Sequence, residues 1–324
     1  MKAIVREKYG SSDVLHIAEL AKPIPTDDEI LIKIHAVSLN GSDREGLIGK
    51  PLYARLGGLR RPRNPILGSD IAGRVESVGR NHAEFKPGDE VFGELPGYHG
   101  GLAEYVCTHG KTLMRKPASL TFEQAAAIPQ AGGIALHGIR DQGHVQPGQR
   151  VLINGAGGSA GSFAIQLAKL YGAEVTGVDH GEKLDFMRSL GADHVIDYNQ
   201  EDFTTNGNQY DLILDVIGHR SVFAYPQALS PEGTCFFVGG STAVALQILL
   251  LGRWIRKTRR KNVRLLVVPQ NRNDLISITE LCGAGKIVPA IDRQYSFHEV
   301  PEAFRYVGEG RAKGKVVITV HSHA

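Results

Sequence analysis

Residues 151–179 read VLINGAGGSAGSFAIQLAKLYGAEVTGVD, and this stretch decides the fold. It begins with a short apolar run, which is typical of a strand buried on both faces. A glycine-rich turn follows, then apolar residues at helical spacing that end at Gly172, and then a second strand that ends at Asp179. The stretch therefore predicts a β-α-β unit whose first strand and helix are joined by a glycine-rich turn.

The glycine-rich turn indicates what this unit binds. Glycine lets the backbone turn sharply, approach a pyrophosphate closely and pack the helix on the strand, while the helix N-terminus offers N–H groups to phosphates. An acid about 20 residues further on can hydrogen-bond a ribose hydroxyl, and Asp179 ends the next strand. The loop departs from the plain G-x-G-x-x-G pattern because Ala156 takes the first place. A dinucleotide site is predicted, and its candidate loop residues are Gly157, Gly158, Ser159 and Ala160.

Composition and charge narrow the class of protein. The chain has 324 residues, of which 42% are hydrophobic and 22% charged, as in an ordinary globular protein of about two domains. Its net charge of +3 gives no general attraction to nucleic acid. Cys107, Cys235 and Cys282 are far apart and form no CxxC pair, so neither a disulfide framework nor a cysteine zinc site is predicted.

The apolar segments bear on where the protein works. The N-terminal MKAIVREKYG carries charges every few residues and lacks the apolar stretch of a signal peptide. No run of about 18 apolar residues predicts a membrane span. We therefore expect a cytoplasmic protein.

The sequence pattern changes along the chain. Up to about Ser119, short strand-like runs broken by Gly and Pro favour a mostly β, barrel-like domain. Over 122–286, strand and helix patterns alternate, as they do around a parallel sheet. The run from Gly314, GKVVITV, reads as a strand that returns to the first domain. The predicted domains are therefore 1–121 with 287–324, and 122–286.

Two predicted helices have bounds that a structure can test. One begins near Thr121, which can cap it, although Ser119 competes for that role. The other covers 221–229, SVFAYPQAL, and leads into a buried strand over 233–240.

Several short blocks of sequence, spread over nearly the whole chain, point to one protein family. They are SLNGSD (38–43), PILGSDIAG (65–73), FKPGDEVFG (85–93), GGLAEYV (100–106), QPGQRVLINGA (146–156), LGADHVIDY (190–198) and GRAKGKVV (310–317). Together they resemble the medium-chain dehydrogenase/reductase superfamily, and within it the zinc-independent quinone oxidoreductases of the zeta-crystallin-like branch. The resemblance implies an α/β fold with a Rossmann doubly wound parallel sheet and a GroES-like, mostly β barrel domain. It also implies hydride transfer between NAD(P)H and a carbonyl, alcohol or activated C=C bond.

The same resemblance bears on zinc. Zinc-dependent relatives place Cys where this chain has Asn40, and Gly-His-Glu where it has Gly68-Ser69-Asp70. Amide and hydroxyl groups are poor zinc ligands, because zinc prefers thiolate, imidazole or carboxylate. The 13 histidines, including His321 and His323 in the C-terminal tail, are scattered without ligand spacing. No metal site is predicted.

The predicted lack of zinc favours one kind of acceptor. Without a Lewis acid, nothing strong polarises the oxygen of a simple ketone. In an enone or quinone, hydride adds to a conjugated carbon and a hydrogen-bond donor at the oxygen suffices. We predict an NAD(P)H-dependent reductase of quinones or α,β-unsaturated carbonyls. A zinc-free alcohol or aldehyde oxidoreductase and a non-catalytic nucleotide-binding protein remain as alternatives.

Three polar residues are candidates for the reaction itself. By resemblance, Asn40 lies near the nicotinamide and substrate, although a turn residue before Gly41 would read the same. Tyr53 lies where related enzymes carry a pocket tyrosine that can donate to a carbonyl, although packing is the interpretation that we favour. Gln130 is the polar candidate of its segment, because Ile134 stands where relatives often have Thr.

The remaining cofactor candidates lie at predicted strand ends. A carboxylate at Asp179 accepts from the two ribose hydroxyls of NAD and repels the 2′-phosphate of NADP. Lys183 can meet a phosphate, whereas Glu182 opposes it, and many relatives with small polar and basic residues here prefer NADPH. The balance leans to NADH. The candidates are Asp179, His180, Lys183, Tyr198, Ile217, Val238, Gly240 and Ser241.

One basic stretch is left outside this picture. Residues 253–264, RWIRKTRRKNVR, hold seven basic side chains next to the apolar run 246–251. Lipid headgroups or nucleic acid can bind such a stretch, but a solvated helix and loop beside an apolar dimer or lid surface is the interpretation that we favour. As partners we expect a small quinone or enone substrate and a second copy of the chain, and no nucleic acid.

Overall fold

The computed structural model describes residues 1–56 and 58–320, so His321 and His323 lie outside the described residues. The strands are β1 (Lys2–Val5), β2 (His16–Glu19), β3 (Ile30–Leu39), β4 (Asp70–Val78), β5 (Glu90–Glu94), β6 (Tyr105–Thr108), β7 (Leu113–Arg115), β8 (Arg150–Asn154), β9 (Glu174–Asp179), β10 (His194–Asp197), β11 (Tyr210–Asp215), β12 (Leu229–Phe237), β13 (Asn262–Leu265), β14 (Ile291–Ser296) and β15 (Lys315–Thr319). The α-helices are α1 (Gly41–Ile48), α2 (Phe122–Ala126), α3 (Pro129–Ala135), α4 (Ser159–Leu170), α5 (Leu184–Ser189), α6 (Tyr225–Ala228), α7 (Thr242–Arg259), α8 (Arg272–Gly283) and α9 (Val300–Gly308).

These elements form two compact units. The first contains residues Met1–Gln130, Gln270–Ala284 and Pro289–Ala324, and the second contains Ala131–Pro269 and Gly285–Val288. Among the described residues, no helix is both long enough and apolar enough to cross a membrane.

The first unit is built on a mixed sheet around the long strand β3. Its order is β14-β15-β3-β4-β5-β7, with β6 also paired to β3, and β1 and β2 form a separate pair. The apolar residues of β3 that alternate in the sequence, among them Ile30, Ile32 and Ile34, are fully buried in the core. β15 pairs antiparallel with β3, so the last described strand does return to the N-terminal sheet.

Strand register gathers polar residues at one end of this sheet. Ser38 lies opposite Asp70 at the start of β4, and Asp70 lies opposite Glu94 at the end of β5. β15 begins at Lys315, next to the residue that pairs with Leu39. Residues that are far apart in the sequence therefore meet where β3 passes into α1.

The second unit is the predicted doubly wound parallel sheet. Its strand order is β10-β9-β8-β11-β12-β13, and each neighbouring pair is parallel. The chain direction across the sheet reverses between β8 and β11, and ligands of such sheets bind at the carboxyl ends of the strands beside this point. The Rossmann fold expected from residues 151–179 is confirmed, because β8, α4 and β9 have the predicted order.

The observed division of the chain differs from the predicted boundary at 121/122. α2 belongs to the first unit because Phe122, Ala125 and Ala126 are buried and the helix contacts β3, β4 and β5. α8, which was assigned to the dinucleotide-binding domain, also belongs to the first unit, where it contacts β7. Local sequence pattern predicts the helix that begins near Thr121, but tertiary packing decides the unit to which α2 and α8 belong.

The two checkable helices had different outcomes. Thr121 caps α2, and its hydroxyl accepts from the Gln124 N–H at 3.2 Å. The helix predicted over 221–229 is wrong in length, because α6 covers only Tyr225–Ala228. Pro226 explains the late start: proline lacks an N–H and is accepted in the first turn of a helix rather than in its interior.

Candidate active site

The glycine loop of the second unit has the geometry that a pyrophosphate requires. Gly155 has φ of +83°, and a Cβ on Gly161 would lie 2.2 Å from the Gly155 carbonyl oxygen. Gly158 is the N-cap of α4, whose first N–H groups have no partner within the helix. A side chain at Gly161 would push the helix away from the loop, so glycine is needed to keep the phosphate-binding turn tight.

Asp179 is held against this loop by three donors. Its Oδ2 accepts from the Gly157 N–H at 2.9 Å, and its Oδ1 accepts from the His180 N–H at 2.8 Å. The Lys183 ammonium lies 3.1 Å from Oδ1, and both side chains are about nine-tenths buried. The carboxylate at the expected ribose position is therefore paired with a cation and fixed in place by the backbone.

The end of β11 is organised by a second buried aspartate. Asp215 Oδ1 accepts from the N–H groups of Ile217 at 2.9 Å and Gly218 at 2.8 Å, and from Asn154 Nδ2 at 2.9 Å. The Tyr225 hydroxyl donates to Oδ2 at 2.7 Å, and burial raises the pKa of that tyrosine. These bonds hold half-exposed Ile217 at the carboxyl edge of the sheet, beside the glycine loop.

The other cofactor candidates lie at the same edge. The Val238 N–H donates to the Asp215 carbonyl at 2.8 Å, which continues β12 past its last residue, and Gly240 follows with φ of +84°. Ser241 is the N-cap of α7. At the end of β10, the half-exposed Tyr198 ring lies edge-on to the His180 ring at 6.0 Å. The structure thus places the predicted cofactor residues along one edge of one sheet.

A buried polar cluster occupies the end of the sheet in the first unit. The Lys315 ammonium, which is fully buried, donates to Asn40 Oδ1 at 2.6 Å and lies 3.6 Å from Asp70 Oδ2. Asn40 Nδ2 lies 3.4 Å from the Ser69 hydroxyl. Asn40 precedes α1, and its N–H donates to the Asp43 carboxylate at 2.8 Å. Asn40 is therefore a helix-capping residue with its amide oxygen bound to a buried lysine.

Gln130 connects this cluster to a half-buried glutamate. The Ser42 hydroxyl donates to Gln130 Oε1 at 2.9 Å, and Gln130 Nε2 donates to Glu94 Oε1 at 2.8 Å. The Gln130 N–H donates to Asp70 Oδ2 at 3.2 Å. Two of the three catalytic candidates, Asn40 and Gln130, thus belong to one hydrogen-bonded cluster.

Burial shifts the titration of the acids and the lysine in this cluster. It raises the pKa of Asp43 to about 7 and that of Glu94 to about 8, because water no longer solvates the charged forms. It also raises the pKa of Asp70 and lowers that of Lys315, and each partner's charge opposes part of the other's shift. The Glu94 carboxyl is therefore largely protonated at neutral pH.

The third catalytic candidate, Tyr53, is held elsewhere. Its hydroxyl donates to Glu45 Oε2 at 3.0 Å, on the turn of α1 remote from its N-cap, and the ring is more than one-third exposed. Burial raises the pKa of this phenol well above its usual value. The observed hydrogen bond supports the packing interpretation more than a direct role beside Asn40.

Sequence reasoning missed three members of the cluster: Lys315, Asp43 and Glu94. Lys315 read only as the start of an apolar strand, and Glu94 as the end of another. A lysine at the first position of a buried strand is itself a signal, because buried lysines are almost always paired. Its partner could not be found, since Asn40 lies 275 positions away.

The cluster does not fit a zinc ion. Of the side chains at the positions where zinc-dependent relatives hold their ligands, Asn40 offers an amide and Ser69 a hydroxyl, and only Asp70 is a usual zinc ligand. The Lys315 ammonium already donates a hydrogen bond to Asn40 Oδ1. A metal cation bound at these positions would have to displace the buried Lys315 ammonium to reach the Asp70 carboxylate.

Comparison with known proteins places the chain in a family. Residues 26–118 match the alcohol dehydrogenase GroES-like domain, and residues 190–318 match a model described as zinc-binding dehydrogenase. The mitochondrial NAD(P)H oxidoreductase RTN4IP1 of Danio rerio is 33% identical over 99% of this chain and 91% of its own. The 2-methylene-furan-3-one reductase of Solanum lycopersicum is 35% identical over 98% of this chain and 79% of its own.

A solved structure agrees over the whole length. The quinone oxidoreductase of Coxiella burnetii has a TM-score of 0.90 and 30% identity, and the match covers 99% of each chain. The two-domain fold is thus that of an NAD(P)H-dependent oxidoreductase. The chain belongs to the medium-chain dehydrogenase/reductase superfamily, in the group of its quinone oxidoreductases.

Proposed function

We propose that this oxidoreductase reduces quinones or α,β-unsaturated carbonyls with NAD(P)H and without a metal. The observation that carries the proposal is the Lys315 ammonium bound to Asn40, at the position where zinc-dependent relatives hold their metal. A conjugated acceptor spreads the incoming charge to its oxygen, so hydrogen-bond donors can replace a Lewis acid. The names of the tomato reductase and the Coxiella oxidoreductase agree with this acceptor class.

We propose that the candidate residues of the second unit bind the nicotinamide cofactor, which supplies hydride when bound. Ser159 and Ala160 present the first backbone N–H groups of α4, where a pyrophosphate is favoured. Gly157 and Gly158 form the tight turn before the helix, and their own N–H groups donate to Asp179 and Gly155. Asp179 and His180 border the ribose position. The strand-end candidates Tyr198, Ile217, Val238, Gly240 and Ser241 line the rest of the same edge.

Among the catalytic candidates, we propose that Gln130 contacts the acceptor. Gln130 is only partly buried, and beyond the N–H that its amide gives to Glu94 it has a second N–H to donate. Asn40 is buried and bonded through its oxygen, so we propose that it positions α1 and the cluster. Tyr53 is proposed only as part of the wall, because its hydroxyl is bonded to Glu45.

For the cofactor we propose a modest preference for NADH over NADPH. Asp179 can accept from a ribose hydroxyl, which favours NADH. Lys183 neutralises much of the repulsion that the carboxylate would exert on a 2′-phosphate, because the two charges lie 3.1 Å apart. The preference is therefore expected to be small.

We also propose a cytoplasmic homodimer. β13 is an edge strand of the parallel sheet in the second unit, and an open edge can pair with the same edge of a second copy. Analytical ultracentrifugation of the purified protein should give the mass of two chains. A monomer at micromolar concentration would contradict this part of the proposal.

The experiment that tests the proposed reaction is steady-state turnover of NADH and NADPH with quinones, enals, saturated aldehydes and alcohols. We expect turnover with conjugated acceptors and little with the others. Gln130→Ala should lower kcat/KM for the acceptor by about a hundredfold, as for the loss of one oxyanion donor. Gln294→Ala, on the exposed face of β14, is the matched control and should change nothing. Turnover confined to alcohols and saturated aldehydes would favour the alternative oxidoreductase.

A further inference from the structure

α7 exposes an apolar surface that a surface helix of a globular protein ordinarily buries. The side chains of Val244, Ile248 and Ile255 pack inward against the sheet. The leucines that face away are exposed by 55% at Leu246, 66% at Leu249 and 71% at Leu250. Amphipathic helices bury one apolar stripe, so a second stripe on the outward side requires another explanation.

The outward stripe continues into cations. Positions three and four apart share one side of a helix, so Leu246, Leu249 and Leu250 lie in line with Arg253 and Lys257. These two basic side chains are exposed. The outward side of α7 is therefore apolar in its first half and basic in its second.

The basic half is not neutralised. The sequence has no Asp or Glu from Thr242 to Arg264. Within the part of the chain that the structure describes, Arg253, Arg256, Lys257 and Arg259 have no acidic partner, whereas Arg260 pairs with Glu232. The chain's single tryptophan, Trp254, is half-exposed beside these cations.

We propose that α7 binds the surface of an anionic phospholipid bilayer. Exposed leucines and a tryptophan enter the boundary between headgroups and acyl chains, and unpaired cations beside them meet the phosphate groups. Nucleic acid would pair with the cations but leave the leucines in water. A second copy of α7 would cover the leucines but leave the cations without an anionic partner, because α7 itself carries no acid. The inference is independent of the proposed reaction.

The single tryptophan makes the test direct. Purified protein is mixed with vesicles of phosphatidylcholine alone or of phosphatidylcholine with phosphatidylglycerol, and Trp254 emission and cosedimentation are measured. We expect a blue shift and cosedimentation only with the anionic vesicles, and binding that weakens as salt is added. No shift, or equal binding to both vesicles, would overturn the proposal.

Matched variants separate the two halves of the surface. Arg253→Gln with Lys257→Gln should weaken anionic-vesicle binding roughly 25-fold, about fivefold for each cation. Arg60→Gln with Arg61→Gln removes two exposed charges elsewhere and should leave binding nearly unchanged. Equal losses for both pairs would mean that only net charge matters, which would contradict a site on α7.

The apolar half is tested with Leu249→Ser and Leu250→Ser, which are exposed and should not alter the circular dichroism spectrum. The affinity for vesicles should fall by more than tenfold, because two inserted side chains are lost. The Trp254 blue shift at a fixed vesicle concentration should become smaller. If these variants instead dissociate a dimer and leave vesicle binding intact, the surface is a subunit interface. If the protein binds single-stranded RNA more tightly than anionic vesicles, and these variants do not weaken the RNA binding, the surface is a nucleic-acid site. Either result overturns the proposal.

Discussion

The glycine loop of the second unit and the polar cluster of the first are built in opposite ways. The loop, Gly155–Gly161 with Asp179, comes from one continuous stretch, in which Gly161 packs closely on Gly155 and the Gly157 N–H donates to the Asp179 carboxylate. The cluster joins Asn40, Asp70, Gln130 and Lys315, which approach only through strand register. The loop is a site that sequence can reveal, whereas the cluster is a site that only tertiary structure assembles.

The largest effect on stability is expected from Lys315, whose side chain is the buried ammonium ion of the polar cluster. Lys315→Met removes the cation and leaves Asn40 Oδ1 and the buried Asp70 carboxylate without it. The free energy of unfolding should fall by about 3–5 kcal/mol, as for one partner taken from a buried ion pair. Denaturant unfolding monitored by circular dichroism measures this.

The double variant makes that prediction specific. Lys315→Met with Asp70→Asn should recover part of the lost stability, because no unpaired charge stays buried. If the double variant is destabilised by the sum of the two single effects, Lys315 and Asp70 do not act as a pair.

The loop should respond through cofactor binding more than through stability. A Cβ on Gly157 would lie 2.7 Å from Lys183 Cδ and 3.1 Å from Asp179 Oδ2. Gly157→Val should displace both side chains and raise the KM for NADH on the order of a hundredfold. Gly283→Ala is the steric control, because a Cβ there meets nothing within 4 Å. Unchanged cofactor KM in Gly157→Val would show that the loop does not hold the cofactor.

Glu94 should give the cluster a pH dependence that the loop lacks. The folded protein keeps this carboxyl protonated up to its raised pKa of about 8, whereas the unfolded chain ionises near 4.5. The stability that this carboxyl contributes is therefore fully present below about pH 4.5 and is lost as the pH rises through about 8. Glu94→Gln should remove part of this decline, so its Tm should exceed that of the wild type at pH 9 more than at pH 5.

A matched control and a residual slope sharpen the Glu94 measurement. Glu280→Gln, on the exposed side of α8, should leave the dependence of Tm on pH unchanged. Some dependence should persist in Glu94→Gln because the pKa of Asp43 is also raised, to about 7. Parallel curves of Tm against pH for the wild type and Glu94→Gln would rule out a buried, protonated Glu94.

The smallest effect is expected on the choice of cofactor. Lys183→Met leaves the Asp179 carboxylate unpaired and should strengthen its repulsion of a 2′-phosphate. The ratio of kcat/KM for NADH to that for NADPH should rise roughly fivefold to tenfold, as expected for one partly screened charge pair. A shift towards NADPH would contradict a Lys183 that offsets the repulsion between Asp179 and a 2′-phosphate.

The same contrast explains what sequence could and could not predict. β8, α4 and β9 follow from apolar runs, a glycine turn and Gly172, all of which act locally. Thr121 was identified as a cap for the same reason, because its partner Gln124 is three residues away. The predicted length of α6 was wrong because Pro226 has to lie in the first turn of a helix.

Features that depend on contacts between distant parts of the chain could not be predicted from the sequence. The unit to which α2 belongs depends on contacts with strands that begin far earlier in the chain. The resemblance makes Asn40 a candidate, but its bond to Lys315 joins residues that are 275 positions apart in the sequence. The exposure of Leu249 and Leu250 also needed coordinates, because sequence shows an apolar run without showing which side of α7 meets the sheet.

The most direct test of the account compares metal content with activity. Protein purified without added metal is analysed by plasma mass spectrometry, and its turnover of NADH with a quinone is measured before and after prolonged chelation. We expect far less than one zinc per chain and no loss of turnover, because Lys315 supplies the buried positive charge beside Asn40 and Asp70. Stoichiometric zinc whose removal abolishes quinone reduction, with zinc restoring it, would contradict the account.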